Sequence, residues 1–341
     1  MENQEQIEIK ETDVLVIGAG PVGLFSVFQC GMLGLKCHVV DSLPDIGGQC
    51  TALYPEKPIY DIPGFPSVMG AELIQNLEAQ AKPFEPVYHL GEQVCAVEKQ
   101  PDGGWCISTD KNTKIKAKAI IIAAGAGAFG PNKPPLIDIE KYEGTSVFYM
   151  VRNRAMFADK KIVIAGGGDS AVDWANSLAE IAKEVYLVHR RDKFRAAPES
   201  IKQMEANPKI EKVVPAQLKT IRGVGGLLDA VYVEDMDGHE RVLEADYLLP
   251  FYGLAASLGP IAEWGLNIDQ QMISVDPASS MTNQEGIYAA GDIADYPNKL
   301  KLILTGFSEV AMAAHHIWQS LHPDEHLHQE YSTTKGVPLA G

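Results

Sequence analysis

Gly18, Gly20 and Gly23 stand at a Gly-x-Gly-x-x-Gly spacing. That spacing does phosphate chemistry in one setting, between a buried strand and the start of a helix. The setting is present here. Asp13-Val-Leu-Val-Ile precedes Gly18, a helical stretch runs to about Leu35, and Cys37-His-Val-Val-Asp41 reads as the next buried strand. The first glycine makes a tight turn, the second lets backbone approach a pyrophosphate, and the third lets the helix pack close to the sheet. The helix start adds free N–H groups and partial positive charge. Asp41 ends the second strand, 23 residues beyond Gly18. A carboxylate there accepts ribose hydroxyls and repels a 2′-phosphate, so the site suits FAD or NAD rather than NADP.

The device returns about 150 residues later as Gly166-x-Gly168-x-x-Ala171, with Ser170 in the first helical turn, a helix to about Ala182, and Val185-Tyr-Leu-Val-His189 as the second strand. No carboxylate ends that strand. His189, Arg190 and Arg191 stand there instead, with Arg195 four residues on. Guanidinium groups make bidentate contacts to a 2′-phosphate, which selects NADPH over NADH. The competing reading is a set of arginines on a solvated loop. One site for FAD and one for NADPH describes a flavoenzyme that takes hydride from NADPH.

Other chemistries lack their residues. Cys30, Cys37, Cys50, Cys95 and Cys106 form no Cys-x-x-Cys pair and no metal-ligand spacing, so they read as reduced thiols of a cytoplasmic protein without a disulfide relay. His315, His316, His322, His326 and His328 cluster late in the chain, but Pro323 breaks the helix that would align His322 with His326, and no metal is expected. The polar, acidic Met1–Lys10 stretch is not read as a secretory signal. No apolar run approaches the roughly 18 residues of a membrane span.

The net charge of −16 argues against nucleic acid as the main partner. Residues 151–222 differ from the rest, with 14 Lys and Arg against 9 Asp and Glu. That surplus points to an anionic ligand, or to local docking of an acidic protein; chance clustering on a solvated surface is the plain alternative.

Two strand–glycine–helix–strand units require two nucleotide-binding domains of similar design. Between them lie the strand-like Ala119-Ile-Ile-Ile-Ala-Ala-Gly125 and a Gly/Pro-rich crossing to Pro135, while a second crossing follows at Phe251-Tyr-Gly253. The expected architecture is α/β, with two Rossmann-like domains. The FAD domain is discontinuous, 1–127 and 253–341, and the NADPH domain, 128–252, is inserted in it. Crossings of this kind permit rotation of one domain against the other. An apolar helix from about Leu302 to Leu321 is placed to aim its N-terminus at the flavin.

Over nearly the whole chain these residues resemble the thioredoxin-reductase-like flavoproteins. Val188-His-Arg-Arg-Asp-Lys-Phe-Arg195 looks like that family's NADPH signature, and Tyr288-Ala-Ala-Gly291-Asp292-Ile293 like its second FAD signature. Gly47-Gly-Gln49-Cys-Thr-Ala-Leu-Tyr54-Pro-Glu-Lys57, Tyr60-Asp-Ile-Pro-Gly64-Phe65 and the tail Tyr331-Ser-Thr333-Thr are similar to the ferredoxin–NADP reductase subgroup.

The resemblance implies three-layer ββα domains and a role for each matching residue. Asp41 would bind the adenosine ribose, Val94 would lie near the adenine, and Gln49 and Phe129 near the flavin. Tyr54 would stack on one flavin face and Tyr331 on the other, with Asp292 and Thr333 closing the site. Gly166, Gly168, Ser170, His189, Arg190, Arg191 and Arg195 would hold NADPH. It further implies a homodimer and single-electron exchange with ferredoxin or flavodoxin. From the residues alone, a tyrosine placed as Tyr54 is usually a packing residue, and the tail is a frayed terminus. A reductase of quinones, ferric chelates or free flavin, and a non-enzymatic flavin redox sensor, are the alternatives.

Overall fold

The computed structural model describes residues 9–151, 153–327 and 336–337. The chain divides into two compact units, Met1–Ala128 with Ala256–Gly341, and Phe129–Ala255.

The first unit begins with β1 (Ile9–Ile17), α1 (Pro21–Met32) and β2 (Cys37–Asp41). A single helical turn at Gln49–Ala52 leads to α2 (Gly70–Ala81), followed by β3 (Val87–Leu90), β4 (Val94–Lys99), β5 (Trp105–Thr109) and β6 (Lys114–Ile122). After the crossing strand β7 (Ala128–Pro131) come β8 (Lys161–Ala165), α3 (Asp169–Ala179), β9 (Glu184–Val188), α4 (Pro198–Ala206) and β10 (Ile210–Val213). Then follow β11 (Ala216–Val224), β12 (Leu227–Asp235), β13 (Glu240–Glu244) and β14 (Tyr247–Pro250). The return strand β15 (Leu254–Ser257) pairs with β7, and the chain goes on to β16 (Ile287–Ala289) and α5 (Ile303–Leu321).

The first unit's sheet has the order β3-β2-β1-β6-β5-β4, with β16 also on β6. The β1–β2 and β1–β6 pairs are parallel, with Ile17 opposite Val40 and Ile122. β6 changes partner along one edge: its first half pairs antiparallel with β5 and its last three residues pair parallel with β16. The apolar runs follow from this, because a parallel strand covered on both faces has no wet side. Val14, Leu15 and Val16 are fully buried, and they alternate between two cores. Val14 and Val16 pack with Val310, Ala313 and Ile317 of α5 on one face. Leu15 packs with Trp105, Ile107 and Ile273 on the other.

The second unit has a parallel sheet, β10-β9-β8-β14, and an antiparallel one, β11-β12-β13. Ile162 and Ile164 of β8 face α3, while Val163 and Ala165 face Leu218, Val231 and Leu243 of the antiparallel sheet. The result is the three-layer ββα arrangement implied by the resemblance. The antiparallel sheet itself, and the β4–β5 hairpin, are absent from the pattern reading of the sequence.

Two helices end earlier than expected. α1 stops at Met32 rather than near Leu35, because Gly34 takes φ +77° and its N–H bonds back to Gly31. α3 ends at Ala179 rather than Ala182. α5 ends at Leu321 as expected, with His322 as its C-cap, so His322 and His326 share no helical face.

Candidate cofactor sites

At the first glycine loop, sterics assign each glycine a different task. Gly18 has φ +108°, and a Cβ on it would lie 2.3 Å from the Ala123 carbonyl oxygen at the end of β6. A Cβ on Gly23 would lie 1.8 Å from the Gly18 oxygen, so the helix packs against its own entry turn. Gly20, the uncapped start of α1, is different: a Cβ there meets only Gly48 Cα, at 4.0 Å. The Gly47–Gly48 turn faces Gly20 because the Gly47 N–H donates to the Ala19 oxygen at 2.8 Å. Two glycine turns thus form a cradle lined by backbone, beside free helix N–H groups. The two turns touch, with a Cβ on Gly48 only 3.1 Å from Gly20 Cα, while no other atom lies within 4 Å of a Cβ on Gly20, so the backbone of Gly20 is open to close approach.

Asp41 does more than wait for a ribose. Its Oδ2 accepts the Ala19 N–H at 2.6 Å and its Oδ1 accepts the Leu43 N–H at 2.8 Å. Burial raises its pKa above the ordinary carboxylate value, and the two N–H donors oppose that rise. Each oxygen keeps a second lone pair for a hydroxyl. Val94 is buried on β4.

On the other side of the cradle, Gln49 places Nε2 3.7 Å from where a Cβ on Gly125 would stand. The Cys50 thiol donates to the Tyr54 hydroxyl at 3.6 Å. Burial pushes both groups' pKa values up, and the Asp292 charge adds to the rise in both. Tyr54, Cys50 and Asp292 therefore lie within electrostatic reach of one another, although 238 residues separate Tyr54 from Asp292. Asp292 sits in the single 3-10 turn Gly291–Ile293. A Cβ on Gly306 would lie 2.4 Å from Val22 Cγ2 and 3.3 Å from Gly291 Cα, so the first turns of α1 and α5 meet at this turn. α5 begins without a side-chain cap. Phe129 falls on β7, and Tyr331 and Thr333 lie outside the described residues.

A buried trio beside the Gly291 turn escapes the sequence reading. Glu309 of α5 accepts the Gly291 N–H at 2.7 Å and the Tyr296 hydroxyl at 2.6 Å, and it pairs with Lys299. A glutamate in an apolar helix carries no pattern signal for such a partner.

At the second glycine loop, a Cβ on Gly166 would lie 2.5 Å from the Phe251 oxygen, and Gly168 starts α3 with open space around it. Ser170 is exposed in the first helical turn. A Cβ on Gly167 would lie 2.3 Å from the His189 ring, which covers the loop. Burial, then Arg190 and Arg191, hold the His189 pKa below its ordinary value. The ring is therefore neutral near pH 7, and the positive charge of that strand end rests on guanidinium groups. The Arg195 N–H donates to the Gly167 oxygen at 2.6 Å, which fixes the arginine loop to the glycine loop.

Among the described residues, no carboxylate pairs with Arg190, Arg191 or Arg195, and all three are exposed. Several other cations of the basic segment are paired with acids. Lys161 pairs with Glu244, Lys212 with Glu205, Lys219 with Glu234 and Glu240, and Arg222 with Asp229. Several of those acids lie beyond residue 222. The free positive charge is concentrated at the glycine loop more than the segment's composition suggests.

All five cysteines are free thiols. Asp235, Asp237 and His239 bring their ligand atoms within 4.8 Å of one another at the end of β12. Asp235 is already taken up by N–H groups of Asp237 and His239 and by the His239 ring. That describes a hydrogen-bonded turn. Among the described residues, no helix is long and apolar enough to cross a membrane.

Two glycine loops of one design, one ending in an acid and one in arginines, define a dinucleotide-using oxidoreductase. The chain belongs to the pyridine nucleotide-disulphide oxidoreductase family, whose model matches residues 12–316. More particularly, it is 57% identical over 96% of its length to a ferredoxin–NADP reductase of Paramagnetospirillum magneticum, covering 98% of that protein. It is 59% identical over 96% of its length to a ferredoxin–NADP reductase of Rhodospirillum rubrum, covering 96% of it. Among solved structures, Lactococcus lactis thioredoxin reductase in its FR conformation matches with a TM-score of 0.76 at 25% identity, over 90% of this chain and 98% of that one. The same fold is seen in T. acidophilum thioredoxin reductase, with a TM-score of 0.77 at 24% identity over 92% and 99% of the two chains.

Proposed function

We propose that this chain is a ferredoxin–NADP reductase, exchanging hydride between NADPH and FAD and single electrons with ferredoxin or flavodoxin. One observation carries the reading: the two glycine loops differ where adenosine ribose is read, Asp41 at one and Arg190 and Arg191 at the other. The kinship with ferredoxin–NADP reductases supports the choice of acceptor. The first unit is the FAD domain and the second the NADPH domain. A cytoplasmic homodimer completes the proposal.

In this reading the Gly20–Gly48 cradle and the start of α1 hold the FAD pyrophosphate, and Asp41 holds its ribose. Gln49, Tyr54, Val94, Phe129, Asp292, Tyr331 and Thr333 complete that site. Gly166, Gly168, Ser170 and His189 shape the NADPH loop, and Arg190, Arg191 and Arg195 clamp the 2′-phosphate. Bound FAD supplies the conversion of a two-electron hydride into single electrons. The protein positions both dinucleotides and, through the uncapped start of α5, offers partial positive charge to an anionic ring.

Anaerobic addition of NADPH to the purified yellow protein tests this directly. The flavin is expected to bleach, and cytochrome c reduction to accelerate when ferredoxin is added. A flavin that stays oxidised would favour the sensor reading. Rates indifferent to ferredoxin but raised by quinones, ferric chelates or free flavin would favour the other reductase. Flavodoxin substituted for ferredoxin tests the second acceptor.

The thiols give a further expectation. Cys50 contributes packing and a weak hydrogen bond to Tyr54, not electron relay. Cys50→Ala is expected to leave ferredoxin-dependent turnover within about twofold of wild type. A drop of about 100-fold or more, on the scale of a lost nucleophile, would reinstate a thiol step.

A further inference from the structure

Glu309 and Lys299 have only 1% and 3% of their side chains exposed. Charges this deep are costly unless every polar atom is satisfied. Here the satisfaction has a direction. One Glu309 oxygen takes the Tyr296 hydroxyl and the Lys299 ammonium, and the other is spent on a single backbone group, the Gly291 N–H. Gly291 opens the turn that carries Asp292 and holds φ +78°, a left-handed conformation. Glu309 lies one turn beyond Gly306 on the same face of α5, and Gly306 is where α5 touches both Val22 and Gly291. The Lys299 ammonium also lies 5.3 Å from the Tyr296 ring centroid, holding the trio as a unit.

We infer that Glu309, Lys299 and Tyr296 form a buried strut that positions the Gly291–Ile293 turn, and through it Asp292, for FAD binding. The inference rests on the reading of the first unit as the FAD domain. These are positioning residues: they act through the Gly291 N–H. Without the carboxylate, that N–H loses its acceptor and the turn its tie to α5.

Two double variants separate positioning from folding. Glu309→Gln with Lys299→Met removes both charges but keeps an amide oxygen for the Gly291 N–H. Glu309→Leu with Lys299→Met removes the acceptor as well. Each apoprotein is titrated with FAD by quenching of flavin fluorescence, and its unfolding midpoint is measured without FAD. The Gln/Met variant is expected to bind within about threefold of wild type, and the Leu/Met variant to bind about tenfold more weakly. Matched midpoints and shifted visible bands of the bound flavin should accompany the weaker binding. Equal FAD affinity in the two variants overturns the strut. So does a loss of affinity that only tracks a lowered midpoint. If the Leu/Met variant does not fold, Glu309→Met with Lys299→Met serves, since it removes the same acceptor with an unbranched side chain closer in shape to glutamate: weaker FAD binding at an unchanged midpoint supports the inference, and unchanged binding overturns it. Wild-type apoprotein that takes up no FAD sinks the FAD-domain reading instead.

Discussion

Changing Arg190 and Arg191 together to alanine is expected to raise the KM for NADPH about 100-fold and to move the KM for NADH less than about threefold. The difference comes from the 2′-phosphate, the one group NADH lacks. Both guanidiniums are exposed. Water and salt therefore screen them, and the effect is set below the full worth of two charge-assisted bonds. Among the described residues neither has a carboxylate partner, so no intramolecular ion pair must break before phosphate binds. Burial, the largest cause that lowers the His189 pKa, is still present in the double variant and continues to disfavour a charged ring there. Raising ionic strength should weaken NADPH binding in the wild type and much less in the double variant. Parallel changes in KM for NADPH and NADH would remove the phosphate clamp. Steady-state kinetics with both nucleotides at two salt concentrations decide it.

What the sequence made legible was local. Gly18 to Asp41 spans one strand, one turn, one helix and one more strand, and each has its own residue pattern. The same holds from Gly166 to Arg191, so both loops and the opposite charges at their ends can be read without a structure. Where the β4–β5 hairpin and the β11–β12–β13 sheet lie was less legible, because short half-buried strands alternate weakly. In β13 only Leu243 is buried. The least legible features join distant residues. Nothing near Gly20 says that Gly48 faces it. Nothing in the apolar run of α5 says that Glu309 takes the N–H of Gly291. Asp41 gives an intermediate case: its place at a strand end was readable, but its hold on the Ala19 N–H was not. Sequence neighbours reveal what a residue can bind, whereas packing decides which backbone group reaches it first.

The cradle supplies the second large effect, because two glycines of one motif should fail in different ways. Gly23→Ala must place a methyl group 1.8 Å from the Gly18 oxygen, a backbone atom that cannot yield without moving the loop. Such overpacking costs roughly 1–3 kcal/mol or more in the apoprotein, before any cofactor is considered. Gly20→Ala meets only Gly48 Cα at 4.0 Å, ordinary contact, and Gly20 has an extended φ of −70° that alanine adopts freely. Its apoprotein should therefore unfold with a wild-type midpoint. The added methyl occupies the cradle itself, and FAD affinity is expected to fall about 100-fold, since the second glycine is the one that admits the pyrophosphate. Unfolding midpoints of the two apoproteins, with FAD titrations of each, separate the cases. If Gly20→Ala binds FAD as wild type does, the pyrophosphate does not lie against the backbone of Gly20. If Gly23→Ala keeps the wild-type midpoint, the tight entry of α1 is not what requires its glycine.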